Sequence, residues 1–261
     1  MPELPDLCLY AENLRKHVLN KPIAQVEANP YKVSVTPAVF REALLSQTIT
    51  DISRDGKELF FTCENGNVFA VHLMLNGKFS LADWGAVIEM QHKIVALRFE
   101  DDEGLVVTDF SGLCRVGLNP PRPVAPDALS DAFTFEYFEK VARRNKSKGV
   151  KAFLIDQKII RGIGNAYADE ILYHANISPK AITGKIPGAE LRVLYEAIGW
   201  VLRDAVRQLE SICPDAISGE ERSFLRVHRR ELKETADGEP ILRENIDKKS
   251  TYYTKKQRMF W

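Results

Sequence analysis

The sequence LIDQKIIRGIGNAYADE, residues 154–170, is the stretch that decides how the second half of the chain folds. Gly162 and Gly164 form a turn that leads into Asn165 at the start of a predicted helix. The N-terminus of a helix offers unpaired N–H groups and a positive dipole to an anion, and the amide of Asn165 adds another donor. Such a corner between two helices suits one DNA phosphate, a contact that fixes register without reading sequence. An ordinary helical corner is the alternative interpretation.

The chain begins Met1-Pro2-Glu3-Leu4-Pro5-Asp6. Because Pro2 is small, we expect the initiator methionine to be removed, which leaves a secondary amine beside the carboxylate of Glu3. An α-amino group has a pKa of roughly 8, against roughly 10 for lysine, so more of it is nucleophilic at neutral pH. Amines attack electrophilic carbons, such as that of a ring-opened deoxyribose, to give Schiff bases. A solvated terminus without function is the alternative, and a retained Met1 makes the nitrogen of Pro2 an unreactive amide.

The bulk composition indicates one large or two ordinary domains with buried cores, since the chain has 261 residues of which 45% are hydrophobic. It contains no apolar run of about 18 residues and no secretory signal pattern. Its four cysteines lie far apart, with no C-x-x-C pair, which is typical of a reduced, cytoplasmic protein. We therefore expect neither a membrane span nor export.

Charge is balanced overall but unevenly distributed. The 36 basic and 36 acidic residues cancel, which argues against a nonspecific polyanion binder. However, Lys140–Arg161 holds eight basic residues and one acid, and Arg222–Trp261 holds eleven basic residues and six acids. Two such zones in a neutral protein indicate either a directed nucleic-acid footprint or ordinary solvated surface.

Hydrophobic periodicity predicts an α+β protein in two parts. A helix over Asp6–Val18 leads a β-rich, two-sheet domain. Its candidate strands are Ile23–Ala28, Leu59–Cys63, Val68–Leu73, Lys78–Leu81, Ile94–Phe99 and Leu105–Phe110, punctuated by turns at Asn65-Gly66 and Asn76-Gly77.

The prolines between residues 117 and 128 cannot continue a helix or a central strand, so they mark a linker. Beyond it we predict helices over Phe135–Arg144, Val150–Gln157, Ala166–Ala175 and Glu190–Leu209. The expected division is a β-sandwich domain over 1–118, a linker over 119–130, a helical DNA-binding domain over 131–221 and a finger over 222–261.

Both motifs resemble one protein family. Residues 154–170, continuing to Ile177-Ser178-Pro179, closely resemble the helix–two-turn–helix element of the formamidopyrimidine-DNA glycosylase and endonuclease VIII family. Pro2-Glu3-Leu4-Pro5 resembles the N-terminus of that family. The order also agrees: a β-rich domain, a linker, a helical domain and a C-terminal β-hairpin finger. The resemblance covers essentially the whole chain.

The resemblance implies roles for particular residues. Pro2 matches the nucleophile that attacks C1′ of the damaged nucleotide, and Glu3 matches the residue that assists sugar-ring opening and proton transfer. Lys57, after Gly56, matches a β-hairpin lysine that binds phosphate and aids proton transfer. Asn165 matches the asparagine that clamps a phosphate. Further DNA contacts are expected from His72, Arg161 and Gly164.

The finger departs most from the family. Most members hold zinc through two C-x-x-C pairs, whereas here Thr254 and Gln257 stand where one pair belongs and no cysteine is present. We therefore predict a zincless finger held by apolar contacts of Ile241, Tyr252, Phe260 and Trp261. The family's finger arginine is replaced by Lys249, which keeps the charge without the bidentate fork. Lys248 is the alternative.

The residues that read the duplex also differ. The segment His72-Leu73-Met74-Leu75-Asn76-Gly77 matches a hairpin with an intercalating methionine, for which Leu75 and Met74 are the candidates. The Arg-Arg-Phe motif of the purine-specific members is absent, and only Phe110 stands there. The stretch 213–230 is shorter than in the 8-oxoguanine-preferring branch of the family, which implies that a lesion-capping loop is missing. These departures shift the expected substrates from 8-oxoguanine to oxidised pyrimidines, ring-opened purines or abasic sites.

The resemblance therefore implies a base-excision-repair DNA glycosylase with AP lyase activity. Its partner is double-stranded DNA with damaged bases or abasic sites, and no metal or other cofactor is implied. We expect a monomer that acts without a membrane in the cytoplasm, at the nucleoid if the source is bacterial. The alternative is a non-catalytic protein that binds damaged DNA or abasic sites on the same scaffold.

Overall fold

The computed structural model describes residues 1–261, and the chain divides into two compact units. The first comprises residues 1–122 and 209–220, and the second comprises residues 123–208 and 221–261. None of the helices is both long enough and apolar enough to cross a membrane. The sequence-based domain boundaries at 118, 130 and 221 stay a prediction.

The first unit is a sandwich of two four-stranded antiparallel sheets. Its helices are α1 (Leu4–Val18), α2 (Pro37–Leu44) and α3 (Trp84–Glu89). Its strands are β1 (Ile23–Ala28), β2 (Ile49–Asp55), β3 (Glu58–Cys63), β4 (Val68–His72), β5 (Lys78–Asp83), β6 (Lys93–Phe99), β7 (Glu103–Thr108) and β8 (Arg115–Leu118). The strand orders are β1-β6-β7-β5 and β2-β3-β4-β8.

Aromatic residues fill the core between helix and sheet in the first unit. Strand β3 alternates between buried and half-buried side chains, as expected for a strand with one face on a core. Phe61 on its buried face stacks on Phe69 with ring centroids 4.5 Å apart, and Phe40 of α2 meets Phe69 edge-on at 6.0 Å. Both geometries are favourable for aromatic rings.

The second unit contains four α-helices, one short 3₁₀ helix (Thr183–Lys185) and one β-hairpin. The helices are α4 (Phe135–Arg144), α5 (Val150–Leu154), α6 (Asn165–His174) and α7 (Gly188–Ile212), the last of which ends beyond the unit boundary. The hairpin pairs β9 (Leu242–Ile246) with β10 (Lys249–Tyr253). Helix α4 begins at Thr134, whose Oγ1 accepts a hydrogen bond from the N–H of Tyr137 at 3.2 Å, a standard N-cap.

The predicted α+β class is confirmed: a leading helix and sandwich come first, and a helical unit with a finger hairpin follows. Helix α4 has the predicted bounds, whereas α5 ends three residues early, at Leu154, and β7 ends at Thr108. Helices α2 and α3 and strands β2 and β8 were not predicted from the sequence. Strand β2 is hard to detect because only Ile49 and Ile52 among its seven residues are buried.

Candidate active site

The predicted nucleophile and proton carrier lie at the start of α1. Pro2 and Glu3 are both buried, and Glu3 is the N-cap of the helix. The N–H of Glu3 donates to Oδ2 of Asp6 at 2.8 Å, while the Glu3 carboxylate accepts from the backbone of Asp6. This reciprocal capping box fixes the Glu3 side chain one residue from the Pro2 nitrogen.

The segment after α7 packs along α1. Asn13 Nδ2 donates to the carbonyl oxygens of Pro214 and Ala216 at 2.7 and 2.9 Å, and the Tyr10 hydroxyl donates to that of Gly219. The amino group of Met1 forms an ion pair with Glu220. Glu220 was not predicted from the sequence, because no motif links residues more than two hundred positions apart.

Lys57 and His72 are close to each other in the first unit. Lys57 follows the β2–β3 turn, in which Gly56 has a φ of 61° that favours glycine, and its side chain is buried. Nδ1 of His72, at the end of β4, accepts a hydrogen bond from the N–H of Met74 at 3.1 Å. Burial, and then the Lys57 ammonium, hold the pKa of His72 below its usual range. His72 is therefore neutral near pH 7, beside a cation.

We expect His72→Gln to flatten the pH dependence of stability in mildly acidic solution. The stability contributed by neutral His72 is fully present above its ordinary pKa of about 6.5 and is lost as the pH falls toward the lowered pKa. Urea midpoints at pH 7.5 and 5 test this, with His17→Gln on the exposed face of α1 as the control. An equal drop for wild type and His72→Gln would contradict the assignment.

The candidate wedge residues lie in the turn between β4 and β5. The N–H of Gly77 donates to the carbonyl of Leu73 at 2.9 Å, and a Cβ at position 77 would stand only 2.3 Å from that oxygen. Leu75 is 57% exposed at the tip, whereas Met74 is half-buried with a φ of 55°. Leu75 is therefore the more accessible of the two candidates, and the choice of apolar wedge stays a prediction.

Phe110 projects from a rigid loop. The buried Asp109 carboxylate accepts hydrogen bonds from the N–H groups of Ser111, Leu113 and Cys114 at 2.6–2.9 Å. Burial alone raises the pKa of Asp109, but these bonds and that of the Ser111 hydroxyl outweigh it and hold the pKa below its usual range. The loop leaves Phe110 68% exposed, so a large aromatic ring is presented to solvent.

In the second unit, the two-glycine turn ends at the N-terminus of α6. Gly162 has a φ of 99°, and its N–H donates to the side chain of Gln157 at 3.0 Å. Gly164 is the N-cap, and no acidic residue lies in the first helical turn, which suits an anion. Asn165 Nδ2 donates to the Ser250 carbonyl at 2.9 Å, which ties the turn to β10.

Arg161 lies against the proline-rich segment of the second unit. Its side chain is buried, and Nε donates to the carbonyl of Ala125 at 2.8 Å. The backbone N–H of Arg161 also donates to the carbonyl of Pro126 at 3.0 Å. These bonds fasten the proline-rich segment, and a DNA contact from Arg161 stays a prediction.

The finger hairpin presents two lysines at its tip. Asp247 and Lys248 form a two-residue turn with φ values of 48° and 63°, and Lys249 begins β10. Both lysines are exposed. Positive φ at both turn positions is the type I′ geometry that suits a tight hairpin.

The predicted apolar packing of the finger is wrong in part, because Trp261 is 79% exposed. Hydrogen bonds hold the C-terminal turn instead. Gln257 Oε1 accepts from the N–H of Thr254, and Gln257 Nε2 donates to the carbonyl of Ile177, both at 2.8 Å. The structure contains no group of three or more His, Cys, Asp or Glu side chains placed to hold a metal ion. A finger without zinc stays a prediction.

A sandwich with a buried Pro-Glu start, together with a helix–two-turn–helix unit and a cationic finger, defines the DNA-repair class of helix–two-turn–helix proteins. The family model of the formamidopyrimidine-DNA glycosylase N-terminal domain matches residues 1–116, and the model of its H2TH domain matches residues 124–215. The chain belongs to the formamidopyrimidine-DNA glycosylase family.

Individual relatives and solved structures agree over nearly the whole length. The chain is 30% identical to the formamidopyrimidine-DNA glycosylase of Desulforamulus reducens, with 97% of each chain covered. It is 29% identical to that of Mycoplasma genitalium, over 97% of this chain and 94% of the relative. The solved complex between Lactococcus lactis Fpg and abasic-site DNA superposes with a TM-score of 0.87 at 24% identity, covering 97% of this chain and 98% of that one.

Proposed function

We propose that the protein is a base-excision-repair DNA glycosylase with AP lyase activity, which acts through the amine of Pro2 after Met1 is removed. The single observation that carries this proposal is the Pro2-Glu3 start, buried and held by the capping box of α1, in a chain of this family. The relatives bear the name formamidopyrimidine-DNA glycosylase. A protein that only binds damage is not favoured, since such binding does not require an amine next to a fixed carboxylate.

In the proposed reaction, the Pro2 nitrogen attacks C1′ of the damaged nucleotide, and the base departs with the bonding electron pair and the proton that the amine gives up. Glu3 assists opening of the sugar ring by moving a proton, and the nitrogen lone pair then forms a Schiff base with C1′. The iminium acidifies the neighbouring C2′ proton. Loss of that proton expels the 3′ phosphate by β-elimination, and a further δ-elimination can follow.

The proposed DNA contacts lie in both units. In the first, Lys57 and His72 supply phosphate contacts and Leu75 fills the space left by the everted nucleotide, with Met74 as the alternative wedge. In the second, the N-terminus of α6 with Gly164 and Asn165 holds one phosphate, and Lys249 or Lys248 holds another. Solved relatives are described as complexes with abasic-site DNA and with Fapy-dG DNA, which supports damaged duplex DNA as the partner.

The proposed substrates are oxidised pyrimidines, ring-opened purines and abasic sites. No arginine pair stands near Phe110, so the sequence offers no cation pair for probing an opposite cytosine. A solved relative is described as a complex with DNA containing an oxidised pyrimidine. We propose that the protein acts as a monomer in the cytoplasm, at the nucleoid in a bacterial source.

Borohydride trapping tests this function. The purified protein, with its N-terminal mass measured first, is incubated with duplex DNA that carries one abasic site, and borohydride is added. We expect a covalent protein–DNA adduct with its DNA attached to Pro2, and strand cleavage at the abasic site in the absence of borohydride. Tight binding to the abasic site with neither adduct nor cleavage, from protein whose Met1 has been removed, would establish the binding-only alternative.

A further inference from the structure

The finger hairpin packs on a buried ion pair that joins two helices of the second unit. Lys151 of α5 and Asp169 of α6 lie with Nζ and Oδ1 2.7 Å apart, and their side chains are 2% and 0% exposed. A charge buried this deeply is very unfavourable unless it is paired and hydrogen-bonded. The two groups are therefore held as a unit, and removing one charge leaves the other without compensation.

Both members of the ion pair also bind β10. Lys151 Nζ donates to the Thr251 hydroxyl at 2.8 Å and to the Ser250 carbonyl at 3.2 Å. Oδ2 of Asp169 accepts from the N–H of Tyr252 at 2.9 Å. Three successive residues of β10 are thus fixed by one ammonium and one carboxylate, which leaves little freedom for this strand to slide or lift away.

The segment that leads to the hairpin is fixed at the same place. Nδ1 of His228 lies 2.7 Å from Asp169 Oδ2. The neighbouring Glu170 accepts hydrogen bonds from the backbone N–H groups of Arg226, Val227 and His228 at 2.7–2.9 Å. Adjacent carboxylates on one turn of α6 therefore hold both the approach to the hairpin and its second strand.

The fixed strand carries groups proposed to bind DNA. Lys249 immediately precedes the three anchored residues and is exposed, and Lys248 occupies the turn before it. Asn165 Nδ2 donates to the Ser250 carbonyl, which also accepts from Lys151. Lys151 thus contacts Ser250, the residue next to Lys249, at the same carbonyl oxygen that accepts from Asn165.

We propose that Asp169, with Lys151, is a positioning residue that docks the finger through a buried ion pair, so that Lys249 and Asn165 present one phosphate-binding surface. This inference rests on the proposed DNA-binding function. The ion pair acts through the hairpin and touches neither the reacting sugar nor the N-terminal amine. Its loss should therefore weaken DNA binding while leaving the chemical step at saturating DNA unchanged.

Asp169→Asn tests the proposal, because asparagine keeps the shape and removes the charge opposite Lys151. We expect KM for abasic-site DNA to rise about tenfold, and the slope of log affinity against log salt to fall by about one, as for one lost phosphate contact. We expect kcat to stay within about threefold, since only positioning is affected. Hydrogen exchange of residues 242–253 should accelerate without added DNA.

A double-mutant cycle with Lys249→Ala separates positioning from a general loss of stability. If Asp169 acts through Lys249, the effects of Asp169→Asn and Lys249→Ala on affinity are strongly non-additive. The matched control is Asp204→Asn, which makes the same chemical change at a surface pair with Arg207 on α7. We expect this control to keep the wild-type salt slope and hairpin exchange.

Thr251→Val gives a milder second test in case Asp169→Asn does not fold, because it keeps both charges and removes only the hydroxyl, which accepts from Lys151 and donates to the Lys249 carbonyl. The same shift in KM and exchange, smaller in size, is expected. A wild-type KM and salt slope in the folded variants, or additive effects in the cycle, would overturn the inference. A wild-type protein without salt-dependent DNA binding would instead overturn the proposed function, while the exchange data would still report on docking.

Discussion

Blocking the N-terminal amine should abolish the covalent chemistry and leave DNA binding almost intact. In a protein that carries an uncleaved N-terminal extension, the nitrogen of Pro2 is an amide, whose lone pair is delocalised and cannot attack C1′. We expect no borohydride-trapped adduct, and cleavage of abasic-site DNA reduced by about three orders of magnitude or more, as for loss of a covalent nucleophile. The dissociation constant should change by no more than a few-fold, because phosphate contacts dominate affinity.

The control for this experiment is the same extension at the other end of the chain. Trp261 is 79% exposed, so a C-terminal tag is sterically tolerated, and we expect it to leave trapping unchanged. Mass measurement must show that Met1 is absent in the control and that the extension is present in the blocked protein. An adduct that forms with the blocked protein would rule out the N-terminal amine. Peptide mapping would then show whether Lys57 is the nucleophile.

Local sequence patterns predicted those helices and strands whose boundaries and apolar period lie within one short segment. The Thr134 cap and a regular apolar period bound α4 at Phe135 and Arg144, as predicted. The missed elements have weaker patterns: β2 buries only two of its residues, and α2 is a short helix of eight residues. Propensity and periodicity are weak where tertiary contacts decide the structure.

The residues of the candidate site were predictable only where they belong to a local motif. The sequence pointed to Pro2, Glu3, Lys57 and Asn165, since each belongs to a short motif, but their roles stay proposals. No motif points to Glu220, which pairs with the amino group of Met1, the residue whose removal the proposed mechanism requires, from 219 positions away.

Lys151 shows that a basic stretch of sequence does not reveal which of its side chains are buried. It belongs to the basic zone over residues 140–161, for which the sequence predicts either a nucleic-acid footprint or solvated surface, whereas the structure buries it against Asp169. A list of charges contains no information on which of them are paired in space. That information arises only when α5 and α6 pack against the finger, so the anchoring of the hairpin was not predictable from the sequence.

Replacing Glu3 with glutamine should have the second-largest effect, on removal of the base. Glutamine is isosteric and can still accept the hydrogen bond from Asp6 that completes the capping box, so the start of α1 is preserved. It cannot accept or deliver the proton needed for ring opening. We expect base excision to slow by about 10²–10⁴-fold, the usual contribution of general acid–base catalysis.

Preformed abasic sites provide an internal comparison for Glu3→Gln. Abasic sites have already lost their base, and a fraction of their sugars is already in the ring-opened form. Trapping on abasic-site DNA should therefore fall much less than excision of an oxidised pyrimidine. Single-turnover rates on the two substrates measure this ratio, with Glu12→Gln, an exposed position of the same helix, as the matched control. Equal losses on both substrates, together with a lower melting temperature, would assign Glu3 a capping role alone. A selective loss on the intact damaged base would identify Glu3 as the proton carrier beside the Pro2 amine.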